Sequence, residues 1–293
     1  MTPPCPGSSW DTVTAATAMA QLAGVIGGFV FAGIVVLLSQ PRPETDQTAQ
    51  QAGSDRLRAL IPFIATFIAM GLNAYVFGLI SGEAGDACRR VWTATVIASG
   101  MLAIGTVATI CGLVLLVRAY LARHNLSDSD KPQLANLERV LRVTLRLTIF
   151  VAIGLLVQRV YEYVRVWYSG RVPELSWMLV PVLLAAFGVI IWASGRTGRL
   201  LRLIDGPAEA TLESYDRDLF RAALLTVAYS IAGSGLVGVF LGVLLDWDHV
   251  PDFIPWMVAA GVIAVPSLAI AAWARAIRGI TRLTRGPEGA KRD

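Results

Sequence analysis

The sequence predicts an all-α integral membrane protein, a seven-transmembrane-helix bundle with the N-terminus outside and the C-terminus cytoplasmic. Three observations predict it. The 293 residues are 55% hydrophobic and only 16% charged, with a mean hydropathy of +0.60, against about 45 to 50% apolar and about 25% charged in soluble domains. Six stretches run 21 residues or more without Asp, Glu, Lys or Arg, and about 20 apolar residues suffice to cross a hydrocarbon core roughly 30 Å thick. Lys and Arg also crowd onto alternate loops, as the cytoplasmic side of a membrane protein requires.

Taken in order, the spans are expected at about 13–39, 59–81, 91–117, 146–167, 176–195, 221–245 and 253–275. They form one membrane domain over 13–277, between a short extracytoplasmic tail (1–12) and a basic cytoplasmic tail (278–293). The first run is far longer than the h-region of a signal peptide, about 7 to 15 residues, and no basic n-region precedes it, so it is expected to be retained. Pro62 opens the second span near its start, where a missing N–H is tolerated. Cys111 lies inside the third as a packing residue.

The fourth span is irregular. Leu147 to Gln158 is uncharged for only 12 residues, too few to cross unless the helix continues through QRVYEYVRVW to Trp167. The fifth and seventh both end on Trp, then Arg and Leu, then Gly-Pro, a stop signal that places Arg near the last carbonyls. Pro266 lies near the middle of the seventh. A static kink capped by neighbours such as Ser267 is the expectation there, and a hinge the alternative.

With seven crossings and the N-terminus outside, 20 of the 25 basic residues fall on inner segments. Arg89, Arg90, Arg159, Arg165 and Arg171 are the five outer ones. Omitting the fourth span would scatter the later basic loops onto opposite sides. The eight tryptophans fall near predicted span ends and read as interfacial anchors. A pI near 9.2 is then a consequence of topology, and no nucleic-acid partner is expected. The bilayer is the expected partner. An Arg-rich, Lys-poor composition points to a bacterial plasma membrane.

Small residues recur at spacing four in the first span (Ala16, Ala20, Gly24, Gly28, Ala32) and the sixth (Ser230, Ser234, Gly238, Gly242). Such stripes let helices approach closely. Internal packing is the plainer expectation. The alternative is a homo-oligomer or membrane-partner face through Gly24, Gly28, Gly238 and Gly242.

Charged residues inside a span are the default candidates for function. Counting 1.5 Å per residue from Arg146 puts Arg159 and Glu162 about 20 and 24 Å along the fourth helix, short of the outer interface, with Arg165 at it. Glu162 stands three residues from each arginine, so a triad of net charge +1 is expected, able to hold a small anionic ligand or a lipid phosphate. The other reading is a structural ion pair, with Tyr161, Tyr163, Trp167 and Tyr168 as an aromatic belt. Gln21, Asn73, Thr95 and Ser99 fall in the outer halves of their spans. A cavity open to the outer leaflet would gather them around Arg159 and Glu162, and Asp246, at the membrane edge, is a further ligand-binding candidate.

The segment DWDHVPD offers Asp246, Asp248, His249 and Asp252 as weak metal ligands, although a solvated acidic turn has the same composition, and no metal is expected. Cys5 and Cys88 both fall outside and are the disulfide candidates. No Walker loop, zinc pattern or strict G-x-S-x-G serine occurs, and the seventh span has no lysine for a retinal-type Schiff base. No cofactor is expected and the balance leans away from an enzyme. The functional expectation is ligand binding, sensing or small-solute transport through that cavity. The alternatives are an intramembrane enzyme acting on a lipid or isoprenoid through Glu162 or Asp246, and an accessory subunit packing through helices one and six.

Overall fold

The computed structural model describes residues 11–39, 46–83, 87–123, 131–168, 212–242, 250–251 and 253–283. Within them the chain forms six α-helices and no strand: α1 (Thr12–Ser39), α2 (Asp46–Ser81), α3 (Cys88–Arg123), α4 (Lys131–Trp167), α5 (Leu212–Gly242) and α6 (Phe253–Leu283). All six are long and apolar enough to cross a membrane, since in lipid only a helix satisfies every backbone N–H and C=O within its own segment. The protein is membrane-embedded. Helices α5 and α6 correspond to the expected sixth and seventh spans. The expected fifth, at 176–195, lies outside the described residues, as do Cys5, Asp246, Asp248, His249 and Asp252.

The irregular fourth span is a single helix. It runs unbroken through QRVYEYVRVW to Trp167, because Arg, Glu, Gln and Tyr are all tolerated by a helix and nothing in the stretch breaks one.

Helix α3 is the centre of the bundle and touches all five of the others. Its sequence permits this through small residues at the closest crossings. Any side chain at Gly105 would strike Met70 of α2, and at Gly112 Phe63 of the same helix. Helix α2 answers with a stripe at alternating spacings of four and three, Ala59, Phe63, Thr66, Met70, Asn73, Phe77 and Ile80, all buried. That spacing is the seam of left-handed helix packing. Helix α1 packs on α2 through Ala16, Ala23, Gly27 and Val30.

The small-residue stripes of the sequence are internal packing faces only in part: Ala16 and Ser230 are buried, whereas Gly24, Gly28 and Gly238 are exposed. Spacing of exactly four drifts around a helix of 3.6 residues per turn, whereas the observed face of α1 alternates four and three. Gly24, Gly28 and Gly238 have open space where a Cβ would stand. Nor do the tryptophans all anchor at the interfaces. Trp92, Trp167 and Trp273 are buried inside the bundle, and Trp273 donates its Nε1–H to Thr226 Oγ1 at 3.0 Å. Helix α6 continues through Pro266, but the Ser267 hydroxyl caps nothing and makes no hydrogen bond. Pro266 instead packs against Gly100 of α3.

Ionic contacts fix which helix ends lie together. Arg58 at one end of α2 holds Asp216 of α5 with two bonds of 2.7 and 2.9 Å. At the opposite end Arg90 bridges Glu83 and the Leu241 carbonyl of the last turn of α5, and Arg89 stacks over Trp167 of α4 at 5.5 Å. Arg89 and Arg90 open α3, where the helix dipole disfavours positive charge; the carboxylate, the ring face and the orphan carbonyl compensate them. Helices α4 and α5 both end at this Cys88 end, and α5 begins at the Arg58 end. A double-mutant cycle with Arg58→Ala and Asp216→Ala, read from unfolding free energies in detergent, should give a coupling of about 0.5 to 1 kcal/mol. The Asp216 side chain is 48% exposed, so solvent keeps the value small.

Candidate functional site

Helices α1 and α4 both flank α3 but have no packing interface with each other. Between them lies a cavity of about 530 Å³, within the roughly 300 to 1,000 Å³ usual for ligand sites. Each wall is one helix face repeating every three or four residues. Thr12, Ala16, Met19 and Ile26 come from α1, Thr95, Ser99, Ala103 and Thr106 from α3, and Thr148, Ala152, Leu155 and Arg159 from α4, with Phe77 of α2 as a partial floor.

The walls are mostly apolar, and their polarity collects at the Cys88 end. Thr12 and Thr95 are 7% and 6% exposed, yet neither hydroxyl makes a hydrogen bond. An unmet buried hydroxyl costs on the order of 1 to 3 kcal/mol, so the two leave unused hydrogen-bonding capacity in the cavity that Arg159 also lines. Ser99 donates to the Thr95 carbonyl at 2.8 Å and Thr106 to the Leu102 carbonyl at 2.8 Å; these hydroxyls are already engaged by their own helix.

Arg159 reaches the cavity from α4 while its Nη1 lies 3.3 Å from Glu162 Oε2. Gln158 donates its amide to Glu162 Oε1 at 3.4 Å. The expected triad is thus corrected to Gln158, Arg159 and Glu162. Arg165 is exposed, since two residues from the helix end its long side chain extends outward instead of folding back on Glu162. The pair carries no net charge, in place of the expected +1.

The structure brings together Arg159, Thr95 and Ser99 of the expected set. Glu162 touches the cavity only through Arg159. Gln21 is exposed on α1, and Asn73 is fully buried in α2, where neither its amide nitrogen nor its oxygen finds a partner; neither residue lines the cavity. Tyr163 and Trp167, expected in an aromatic belt, are buried and stack at 5.8 Å, because their spacing of four puts both on the packed side of α4. The sequence reading missed Thr12 and Thr148. A threonine at a span end and another inside a span carry no local signal, and only the convergence of three helices gives them a common destination.

Thr12 is fixed in place by a cap. The Asp11 carboxylate accepts the Val13 and Thr14 N–H groups at 3.0 and 3.3 Å and the Thr14 hydroxyl at 2.6 Å, an N-cap that starts α1 one residue before the cavity. Those bonds, the hydroxyl's foremost, hold the Asp11 carboxyl below its ordinary range.

Cys88 is disulfide-bonded and Cys111 is free and buried. Among the described residues no cluster of His, Cys, Asp or Glu could hold a metal. No family model, curated protein or solved structure matches this chain.

Proposed function

We propose that this chain is a seven-span plasma-membrane protein that binds, as a receptor or sensor, an amphiphile with an anionic head and an apolar body. The observation that carries the reading is the cavity mouth: two buried hydroxyls without partners, Thr12 and Thr95, in one mostly apolar cavity with the Arg159 guanidinium. Apolar walls favour an amphiphile over a small polar solute. Arg159 and the Thr12 and Thr95 hydroxyls supply donors suited to the two oxygens of a carboxylate.

Two considerations support seven crossings with the N-terminus outside. Helix α4 ends at the Cys88 end, while α5 begins beside Arg58 at the other, so an odd number of crossings by the intervening chain joins them, as the apolar run Leu175 to Gly195 would supply. A disulfide at Cys88 also suits the oxidising, extracytoplasmic side, in keeping with the basic residues of the opposite loops. The cavity mouth then faces the outer leaflet. The enzymatic reading is the weaker one, because Glu162 is taken up by Arg159 and Gln158 and does not itself line the cavity.

Myristate titrated into the purified protein in detergent should bind saturably, and Arg159→Ala should weaken it about ten- to a hundredfold, the worth of a hydrogen bond to a charged group. Glu162→Gln should strengthen it, because the competing carboxylate is gone. Equal affinity for myristate and tetradecanol, or no response to Arg159→Ala in a protein of unchanged helicity, would sink the reading.

A further inference from the structure

We infer that the cavity is a ruler for a single acyl chain: its guest is a long-chain carboxylate whose head sits at Arg159, and Ala152 and Ala103 set the chain length accepted. The inference rests on the proposed binding role and adds the tail to it.

The three walls give the length independently. At 1.5 Å per residue, α4 from Arg159 to Leu147 measures about 18 Å, α3 from Thr95 to Thr106 about 16 Å, and α1 from Thr12 to Ile26 about 21 Å. These residues are the extremes of the lining on each helix. A methylene advances an extended chain by about 1.25 Å, the projection of a bond of about 1.5 Å, so the cavity takes about 13 to 17 carbons. A volume of about 530 Å³ over that length gives a mean cross-section of roughly 30 Å². With packed chains about 4.5 Å apart, one chain needs roughly 20 Å² and two need roughly 40 Å². That is the room of one extended chain.

Charge argues for the head. Arg159 already holds the Glu162 carboxylate, and a guest with two negative charges would be repelled by that carboxylate more than a guest with one. A monoanionic carboxylate suits it better than a phosphate monoester.

The alanines make the room. Ala152 on α4 and Ala103 on α3 both line the cavity and are both 9% exposed. Ala152 stands about 10 Å from Arg159 along α4, and Ala103 about 12 Å from Thr95 along α3, so they face the same depth from adjacent walls. A larger side chain at either position should block the channel beyond about eight to ten carbons while leaving the mouth intact.

The test is a chain-length series of saturated carboxylates, octanoate to stearate, titrated into the purified full-length protein in detergent. Wild type should bind myristate and palmitate tightest, with octanoate at least tenfold weaker. Ala152→Phe should move the optimum to octanoate or decanoate and lose myristate at least tenfold. Ala103→Val, a smaller change from the adjacent wall, should shift the profile the same way and serves where Ala152→Phe does not fold. Saturable binding with a flat length profile, or a profile that neither variant moves, overturns the ruler and leaves the mouth standing. Absence of saturable binding at every length overturns both.

Discussion

Replacing Trp273 by alanine should destabilise the bundle by about 3 to 5 kcal/mol, the range for removing a buried aromatic residue, and should be the most damaging single truncation in the membrane domain. Trp273 is fully buried in α6, in the apolar cluster that joins α2, α3, α4 and α5. Lipid tails are as apolar as the side chain, so the loss is one of packing contacts and not of hydrophobic transfer. The indole also donates to Thr226 Oγ1, which in turn donates to the Ala222 carbonyl at 2.9 Å; the hydroxyl is satisfied on both sides and locks α6 to α5. Trp273→Phe separates the two contributions. It keeps most of the volume and should cost about 1 kcal/mol, the net worth of a neutral hydrogen bond, with somewhat less expected inside a membrane. Unfolding free energies from steric trapping or a denaturing-detergent titration would give both values. A loss under about 1 kcal/mol for the alanine variant would show that α6 is not held where the structure has it.

Trp273 also illustrates what the sequence can and cannot convey. A tryptophan within one turn of an expected span end reads as an interfacial anchor, and the rule that says so concerns depth alone. Depth was legible throughout: α1 to α4, α5 and α6 fall where apolar runs of sufficient length fall, and the fourth span was recovered despite Arg159 and Glu162. Azimuth was not. Whether Trp273, Trp92 or Trp167 faces lipid or a neighbour depends on helix rotation, and in a chain apolar on all sides no polar face reveals it. The stripes at Gly24, Gly28 and Gly238 failed for the same reason, since a pattern of small residues shows where close approach is possible and not where it occurs.

The site followed the same division. Arg159, Thr95 and Ser99 were legible because a charge or hydroxyl in an outer half-span is costly wherever it points. Gln21 and Asn73 have the same chemistry at the same depth, but rotation takes one to the surface and the other into the interface between α2 and its neighbours. Thr12 and Thr148 went unread because threonine satisfies itself on its own helix so readily. It is the missing bond at Thr12, visible only in three dimensions, that turns a span-end residue into part of a mouth.

Substituting leucine at Gly100 should cost about 3 kcal/mol, the upper end for overpacking a close-packed core, and alanine about half of that. Gly100 is where three helices cross. A Cβ there would collide with the Tyr229 hydroxyl of α5, stand 3.0 Å from its Cζ and come within 3.2 Å of Pro266 Cγ on α6. The proline ring cannot yield, so the tyrosine must. That makes the effect separable by a second substitution. Tyr229 Oη lies 3.4 Å from the Ile97 carbonyl, near the limit of a hydrogen bond, so Tyr229→Phe alone should cost only about 0.5 kcal/mol. In the Gly100→Ala background the same change removes the colliding oxygen and should restore most of the lost stability. Additive losses in the double variant would refute the crossing. The consequence reaches the cavity, because Ser99 and Ala103 line it from the same turns of α3, about 100° and about 60° around the helix from Gly100 at 3.6 residues per turn. A helix pressed off α5 and α6 shifts toward the side where α1 and α4 leave the cavity between them, so Gly100→Leu should narrow the cavity and weaken myristate binding along with stability. The Tyr229→Phe rescue of Gly100→Ala should return both together. Recovery of stability without recovery of binding would mean that α3 does not carry the cavity wall with it.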